Sequence, residues 1–255
     1  MIQGLDKFKT HFAKYSGNYV LIGGVPTALL LDEAGQEARA TRDLDIVLVV
    51  EALHADFGSA FWTFVKEGGY QVCQRSDGQP TFYRFAKPLA GYPAMLELFA
   101  GRDVGLGEPG DFPLTRLSLG EEISSLSALL LDGAYYQLLM ANTRLFDGLP
   151  IADAHCLLPL KAKAWLDLSA RRAAEAGVDG RDIKKHRNDV LRLSKLLAPS
   201  LRVTLPGSVA GDMSMFLEQV LPTVDANVLG AVGIRGSAER VLEQLKVIYC
   251  LSVPS

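Results

Sequence analysis

Cysteine is scarce. Cys73, Cys156 and Cys250 are odd in number and far apart, so they form no metal pattern, and their scarcity suggests a reducing compartment. Histidine is equally thin: His11, His54, His155 and His186 make no HExxH pair and no His-rich cluster, which argues against a zinc site. No apolar run reaches the roughly 18 residues that a membrane helix needs. The opening MIQGLDKFKTHFAKY lacks an apolar stretch followed by small residues, so no secretory leader is expected. These absences predict a cytoplasmic protein with no membrane partner. An excess of one charge is also missing. The net charge is −3, which excludes binding nucleic acid through bulk basicity. No internal repeat or low-complexity segment is visible.

What is present is ordinary in bulk and uneven in detail. The 255 residues are 49% hydrophobic and 22% charged, enough for a good core and for two domains. Between Lys161 and Arg202 stand 11 Lys+Arg against 5 Asp+Glu, a local net of +6 that leaves −9 on the remainder. That asymmetry points to an anionic ligand on the later half, and equally to a solvated helix surface.

Periodicity predicts a helix over 1–16, a strand over 19–22, a helix from about 27 to 32, and a strand over 43–50. A helix over 52–67 follows, then a hairpin of 70–74 with 81–86 and a strand after Pro93. Residues 101–113 read as loop, with further strands at 117–119 and 126–131. From about 134 the pattern turns helical, over 134–146, 153–176, 180–198, 211–222 and 236–250. The expected class is α/β (α+β), a mixed sheet over 1–133 followed by a helical domain over 134–255. Met140, Trp62 and Trp165 read as core.

One stretch organises the chain: YVLIGGVPTALLLDEAGQEARATRDLDIVLVV, from Tyr19 to Val50. Gly23 and Gly24 let the backbone turn tightly between a strand and a helix and approach a ligand without a Cβ in the way. Free N–H groups at that helix start suit phosphate oxygens. Asp43 and Asp45, two apart on a strand, point to one face, roughly 7 Å apart along the chain. Glu97 in MLELF adds a third acid on a later strand, sharing a face with Met95 and Phe99. Acids in such apolar strands need a counter-charge, and a divalent metal holding phosphate oxygens supplies one.

These pieces resemble the nucleotidyltransferase superfamily that includes DNA polymerase β: a Gly-Gly turn, a helix, an Asp-x-Asp strand and a later carboxylate. Within it, VLIGGVPTALLL, RATRDLDIVL, MLELF, LLPLKAKAWLDL and DIKKHRNDVLRL resemble the AbiEii-type nucleotidyltransferases, the toxins of type IV toxin–antitoxin systems. The resemblance covers about residues 20–200. It implies a nucleotidyltransferase fold, transfer of a nucleoside monophosphate from a nucleoside triphosphate to a hydroxyl, and two Mg2+ ions, with Mn2+ as a substitute. The implied acceptor is RNA, plausibly tRNA, or a protein side chain, with an antitoxin encoded nearby.

Carried over residue by residue, Gly23 and Gly24 would cradle the triphosphate. Asp43, Asp45 and Glu97 would be catalytic and hold the metals, and Thr41, Lys161, Lys185 and Asp189 would complete the nucleotide site. Arg39 matches the approach to the acidic strand. Lys163, two positions from Lys161, would face another side of its helix. Lys185 and Asp189 also suit a plain i,i+4 ion pair. Arg84 could reach a phosphate. This chain departs from the pattern in the 18 residues between Gly24 and Asp43 and in His186, where relatives often carry an acid.

Gly105-Leu-Gly107-Glu-Pro-Gly110 formally matches GxGxxG. It is followed by Asp-Phe-Pro and not by a helix that could present N–H groups, so it reads as loop. Two rival functions remain: a small-molecule (antibiotic) nucleotidyltransferase, and a catalytically silent nucleotide-binding module.

Overall fold

The computed structural model describes residues 2–52, 55–74, 80–100, 132–174 and 179–251. Its first hundred residues run α1 (Leu5–His11), β1 (Tyr19–Ile22), α2 (Gly24–Glu33), β2 (Asp43–Leu48), α3 (Ala55–Glu67), β3 (Gln71–Gln74), β4 (Pro80–Ala86) and β5 (Met95–Phe99). A single turn of tighter helix, Ala13–Tyr15, completes the helical start that the sequence predicts. The expected 70–74/81–86 hairpin is the antiparallel pair β3–β4. Expectations for His54, for Gly105–Gly110 and for strands at 117–119 and 126–131 lie outside the described residues.

Two faces of the sheet follow from the two-residue period of its strands. Tyr19, Leu21, Leu44, Ile46, Leu48, Phe85, Leu96 and Leu98 share one face by register. Aromatic rings cover it. Phe8 lies edge-on to Tyr19 with centroids 5.4 Å apart, and Phe61 to Phe85 at 5.5 Å. Each such buried side chain contributes about 1.5–3 kcal/mol. The opposite face carries Ile22, Asp45, Glu97 and Arg84 in one row across β1, β2, β5 and β4.

The helix expected over 134–146 is shorter. It is α4 (Gly133–Ala141), followed by a hairpin of β6 (Thr143–Phe146) and β7 (Leu149–Ala152). The reason is Asp147-Gly148, with φ of 47° and 80°. Two successive left-handed residues make the tight turn that suits the natural twist of paired strands. β7 then pairs in parallel with β1, Leu21 opposite Ile151. The mixed sheet therefore has seven strands in the order β3-β4-β5-β2-β1-β7-β6. It takes its last two strands from beyond residue 134, so the expected boundary falls within the chain of a single sheet.

Helices follow: α5 (Ala154–Ala174), α6 (Gly180–Ser194), α7 (Gly207–Val220), α8 (Ala226–Ala231) and α9 (Ala238–Ile248). Helix α8 escaped the sequence reading because six residues are too few to show a period. Its visible signal is Asp225, which caps it by accepting the Val228 N–H at 2.8 Å. Trp165 is buried edge-on to Phe216, while Trp62 and Met140 pack partly buried against the core. No helix among the described residues is long and apolar enough to cross a membrane.

Helix α5 carries Pro159 in its interior. Proline has no N–H for the carbonyl four residues earlier, so the His155 C=O is left without its helical donor. The Tyr249 hydroxyl donates to that oxygen at 2.9 Å and ties the chain after α9 to α5. Tyr249→Phe is expected to lower unfolding stability by about 1–2 kcal/mol, the usual loss when a buried carbonyl is orphaned. Urea denaturation reads it, and no change in the midpoint would contradict the assignment.

Candidate functional site

The site begins where β1 ends. Ile22 stands opposite Asp45, and the next residue, Gly23, has φ 76° and ψ −133°. A β-carbon on Gly23 would collide with Asp45 Oδ2. Only glycine fits both the conformation and the space. Gly24 opens α2, and its N–H donates to the Asp45 carboxylate. Asp45 thus satisfies one of the orphan donors at a helix start, where a negative charge is favoured. Thr27 Oγ1 donates to the Gly23 carbonyl at 2.7 Å and braces the turn. Thr41 lies against Gly24, with its Cβ 3.2 Å from where a β-carbon on that residue would stand. The chain's own Asp45 and Thr41 thus lie against the Cα atoms of Gly23 and Gly24.

The three acids share one face of the sheet. Asp43 and Asp45 alternate on β2, and Asp45 is in register with Glu97 on the parallel β5. Burial raises the Asp45 carboxyl above its usual range. Lys161 and Lys185 pull it back down, and Asp43 adds to the rise. Asp45 retains some exposed surface, but its carboxylate is set deep in the junction with α2. Glu97 is buried and is pushed up to about 7, first by burial and then by Asp45, against the pull of Arg84. Arg84 Nε stands 2.6 Å from Glu97 Oε1. The guanidinium that the sequence offered to a phosphate is therefore engaged with the third acid. Among the described residues no three His, Cys, Asp or Glu side chains stand close enough to form a ready-made metal cage.

A stability profile follows from Glu97. Its carboxyl rises from an ordinary 4.5 to about 7 on folding, so the folded state binds a proton that the unfolded state releases. This contribution is fully present below about pH 4.5 and is lost as pH rises through about 7, with an upper bound on the order of 3 kcal/mol. Glu97→Gln is expected to hold its melting temperature between pH 5 and 8 more nearly constant than the unaltered protein does. Parallel melting curves with the same slope in both proteins would show that Glu97 does not titrate in this window.

Cations from the helices meet the acids. Lys161 on α5 and Asp189 on α6 are only 3% and 1% exposed, with Nζ 3.2 Å from Oδ2. Arg39 Nη2 approaches the same oxygen at 3.8 Å, and Arg192 Nη1 approaches Oδ1 at 3.5 Å. Burial alone would raise Asp189, but Lys161 and Arg39 outweigh it and hold the carboxyl below its usual range. The simple i,i+4 pair between Lys185 and Asp189 is absent, since Asp189 has other partners. Lys185 is half-buried and its charge acts on Asp45 and His186. Burial, then Lys161 and Lys185, drives the His186 ring down to about 3, so it is neutral at physiological pH. Its Nδ1 and the Nε of Arg39 are sealed from solvent with no hydrogen-bond partner.

Lys163 does face elsewhere. It pairs with Asp167 at 3.5 Å and Asp212 at 3.2 Å, and Tyr135 Oη donates to Asp212 at 2.9 Å. Sequence reasoning missed this group, because nothing in the chain flags a lysine and an aspartate 49 positions apart. It also missed Arg192, which its i,i+3 spacing from Asp189 could have shown. Two surface hollows, one by Gln3, Lys7 and His11 and one by Glu33, Arg144 and Lys195, contain none of the site residues.

No family model, no curated protein and no solved structure matches the chain.

Proposed function

We propose that this protein is a metal-dependent nucleotidyltransferase that moves a nucleoside monophosphate from a nucleoside triphosphate to a hydroxyl of an RNA. One observation carries the reading: Asp43, Asp45 and Glu97 lie on one sheet face beside a Gly-Gly turn that opens a helix, and the charges of Lys161 and Lys185 on two later helices act on Asp45. The seven-stranded mixed sheet is compatible with the nucleotidyltransferase fold that the motifs imply.

The donors fit Mg2+ or Mn2+. Carboxylate oxygens are the hard ligands these ions take, and Asp45 is a desolvated carboxylate pressed by Asp43, a condition that a divalent cation relieves. Asp43 and Asp45 would hold the ions, and Glu97 would join them as Arg84 yields. When bound, two such ions activate the attacking oxygen and offset charge on the departing pyrophosphate. The chain's own residues do the rest. The N-terminus of α2 favours the anionic tail, and the positive charge of Lys185 acts on Asp45. The acceptor oxygen forms a bond to the α-phosphorus, the bond from that phosphorus to the bridging oxygen breaks, and pyrophosphate leaves with the electron pair. The acceptor's proton passes to a carboxylate on the sheet face. Positioning and charge offset carry such in-line displacements.

The excess of positive charge from Lys161 to Arg202 favours a polyanionic acceptor such as RNA, and tRNA is what the family resemblance implies. The acidic overall charge of −3 is what favours the rival, a cationic antibiotic. Incubation with α-labelled triphosphates, Mg2+, cell RNA and an antibiotic panel separates them. Label on RNA supports the proposal, and label on an antibiotic alone supports the rival. Triphosphate binding without transfer to any acceptor would indicate a silent module. A small DNA-binding protein in the neighbouring reading frame would support the toxin role and its antitoxin partner.

A further inference from the structure

We infer that the acceptor RNA is held at the corner where α5 ends and α6 begins, by Arg171, Arg172, Arg181 and Lys184 acting on its sugar–phosphate backbone. This deepens the nucleotidyltransferase reading above and rests on it. None of the four residues belongs to the nucleotide site.

Contacts place the corner. A β-carbon on Gly180, the first residue of α6, would collide with the Arg172 guanidinium, so the last turn of α5 lies against the start of α6. At about 100° per residue, Arg181, Lys184, Asn188 and Arg192 fall within about 80° of one another on α6. Asp182 and Asp189 lie outside that sector, which holds no acid of the helix. Arg171, Arg172, Arg181 and Lys184 are all exposed, the Arg181 side chain by 90%. Lys184 makes no ion pair with any described residue. Arg181 pairs with Asp179 at 2.7 Å, and Asp179 also caps α6 by accepting the Arg181 N–H. Exposed pairs of this kind contribute little, so a phosphate can draw the guanidinium away. Among the described residues of the corner the exposed acids are Asp179 and Asp182, two against four cations.

The distance from the chemistry also fits. Arg39 Nη2 stands 3.8 Å from Asp189 Oδ2 on α6 and 3.5 Å from the β-carbon position of Gly24 at the Gly-Gly turn. Lys184 and Arg181 lie five and eight residues before Asp189, about 7.5 and 12 Å along the axis at about 1.5 Å per residue. A stacked strand carries one phosphate about every 3.4 Å, so this span is about two to four nucleotides. An RNA whose reacting hydroxyl sits at the acidic face carries its next phosphates over the first turns of α6. Guanidinium and ammonium groups on one exposed face suit phosphodiester oxygens. Such contacts position the strand and read no base. The −9 on the residues outside Lys161–Arg202 repels a polyanion and confines it to this side.

Fluorescence anisotropy of the full chain with a short labelled RNA hairpin, over a series of salt concentrations, tests the surface. Arg181→Glu/Lys184→Glu is expected to melt within about 2 °C of the unaltered protein, because both side chains are surface groups. It is expected to bind the hairpin at least about tenfold more weakly at about 0.1 M salt. The slope of log affinity against log salt is expected to shrink by about two, one for each cation that meets a phosphate. Nucleotide affinity, read by calorimetry with the four ribonucleoside triphosphates in Mg2+ buffer, is expected to stay within about twofold. In transfer assays KM for RNA is expected to rise at least about tenfold, with kcat within about twofold. Lys14→Glu/Lys66→Glu makes the same change in net charge on the aromatic side of the sheet and is expected to keep RNA affinity within about twofold. Equal losses in the two pairs, or unchanged RNA binding in Arg181→Glu/Lys184→Glu, overturn the surface. A DNA hairpin of the same sequence that binds more tightly than the RNA overturns the choice of occupant. An unaltered protein that binds and uses nucleotides but holds no RNA overturns the surface and leaves the enzyme reading standing. One that holds RNA through these residues but neither binds nor transfers a nucleotide overturns the enzyme reading instead.

Discussion

Asp43→Asn combined with Asp45→Asn is expected to abolish nucleotide transfer while leaving the fold as stable as before, or more so. Both halves of that expectation come from the same desolvated carboxylates. The acids are placed to hold divalent cations, and charge stabilisation by such ions contributes several kcal/mol at the transition state. At about 1.4 kcal/mol per factor of ten, the double variant is expected to lose at least about 10³-fold in rate. Stability moves the other way. Burial raises the Asp45 carboxyl in the folded state, so its ionised form opposes folding above its ordinary range. An asparagine keeps an oxygen for the Gly24 N–H and removes the charge. The measurement is a pair: label transfer from α-labelled triphosphate, and a melting curve at pH 7.5. Full activity in the double variant removes the site from the mechanism. A fall in melting temperature of several degrees, with activity lost only in proportion to unfolded protein, would make Asp45 a helix cap and nothing more.

That contrast shows what the sequence could and could not reveal. Strand β1 was legible to the residue, because Tyr19–Ile22 is a wholly buried run closed by a Gly-Gly pair. The acids were legible as a trio because a two-residue period fixes which side chains share a face, and Glu97 does stand in register with Asp45. The hairpin after α4 was not read, although Asp147-Gly148 between apolar residues is a strong turn signal. The apolar tract ahead of it reads equally well as a helix. What no local pattern contains is pairing at a distance. Asp189 has a lysine four residues away on its own helix, yet bonds to Lys161, 28 positions earlier on another. Packing of α5 on α6 decides that choice. Arg84 likewise reads as a free cation until β4 is laid beside β5, where the register sets it against Glu97.

The dependence of the site on one glycine can be measured directly. Gly23→Ala is expected to destabilise the protein by about 3 kcal/mol or more, through two separable effects. The first is backbone strain: φ 76° with ψ −133° is a region that residues with a β-carbon occupy at about 1–3 kcal/mol. The second is collision, since the added methyl group meets Asp45 Oδ2. Relief of that overlap requires Asp45 to turn away from the Gly24 N–H or β1 to shift against β2, and overpacking of this kind costs about 1–3 kcal/mol. A double-mutant cycle separates them. In an Asp45→Ala background the collision partner is gone, so the same Gly23→Ala change is expected to lose only the strain. A coupling of about 1–2 kcal/mol between the two positions, read from urea denaturation, fits residues in contact. Gly23→Ala within about 0.5 kcal/mol of the unaltered protein would mean that the turn does not press on the acid at all. The strand-to-helix junction would then be only a connection, and the placement of Asp45 at the head of α2 would need another cause.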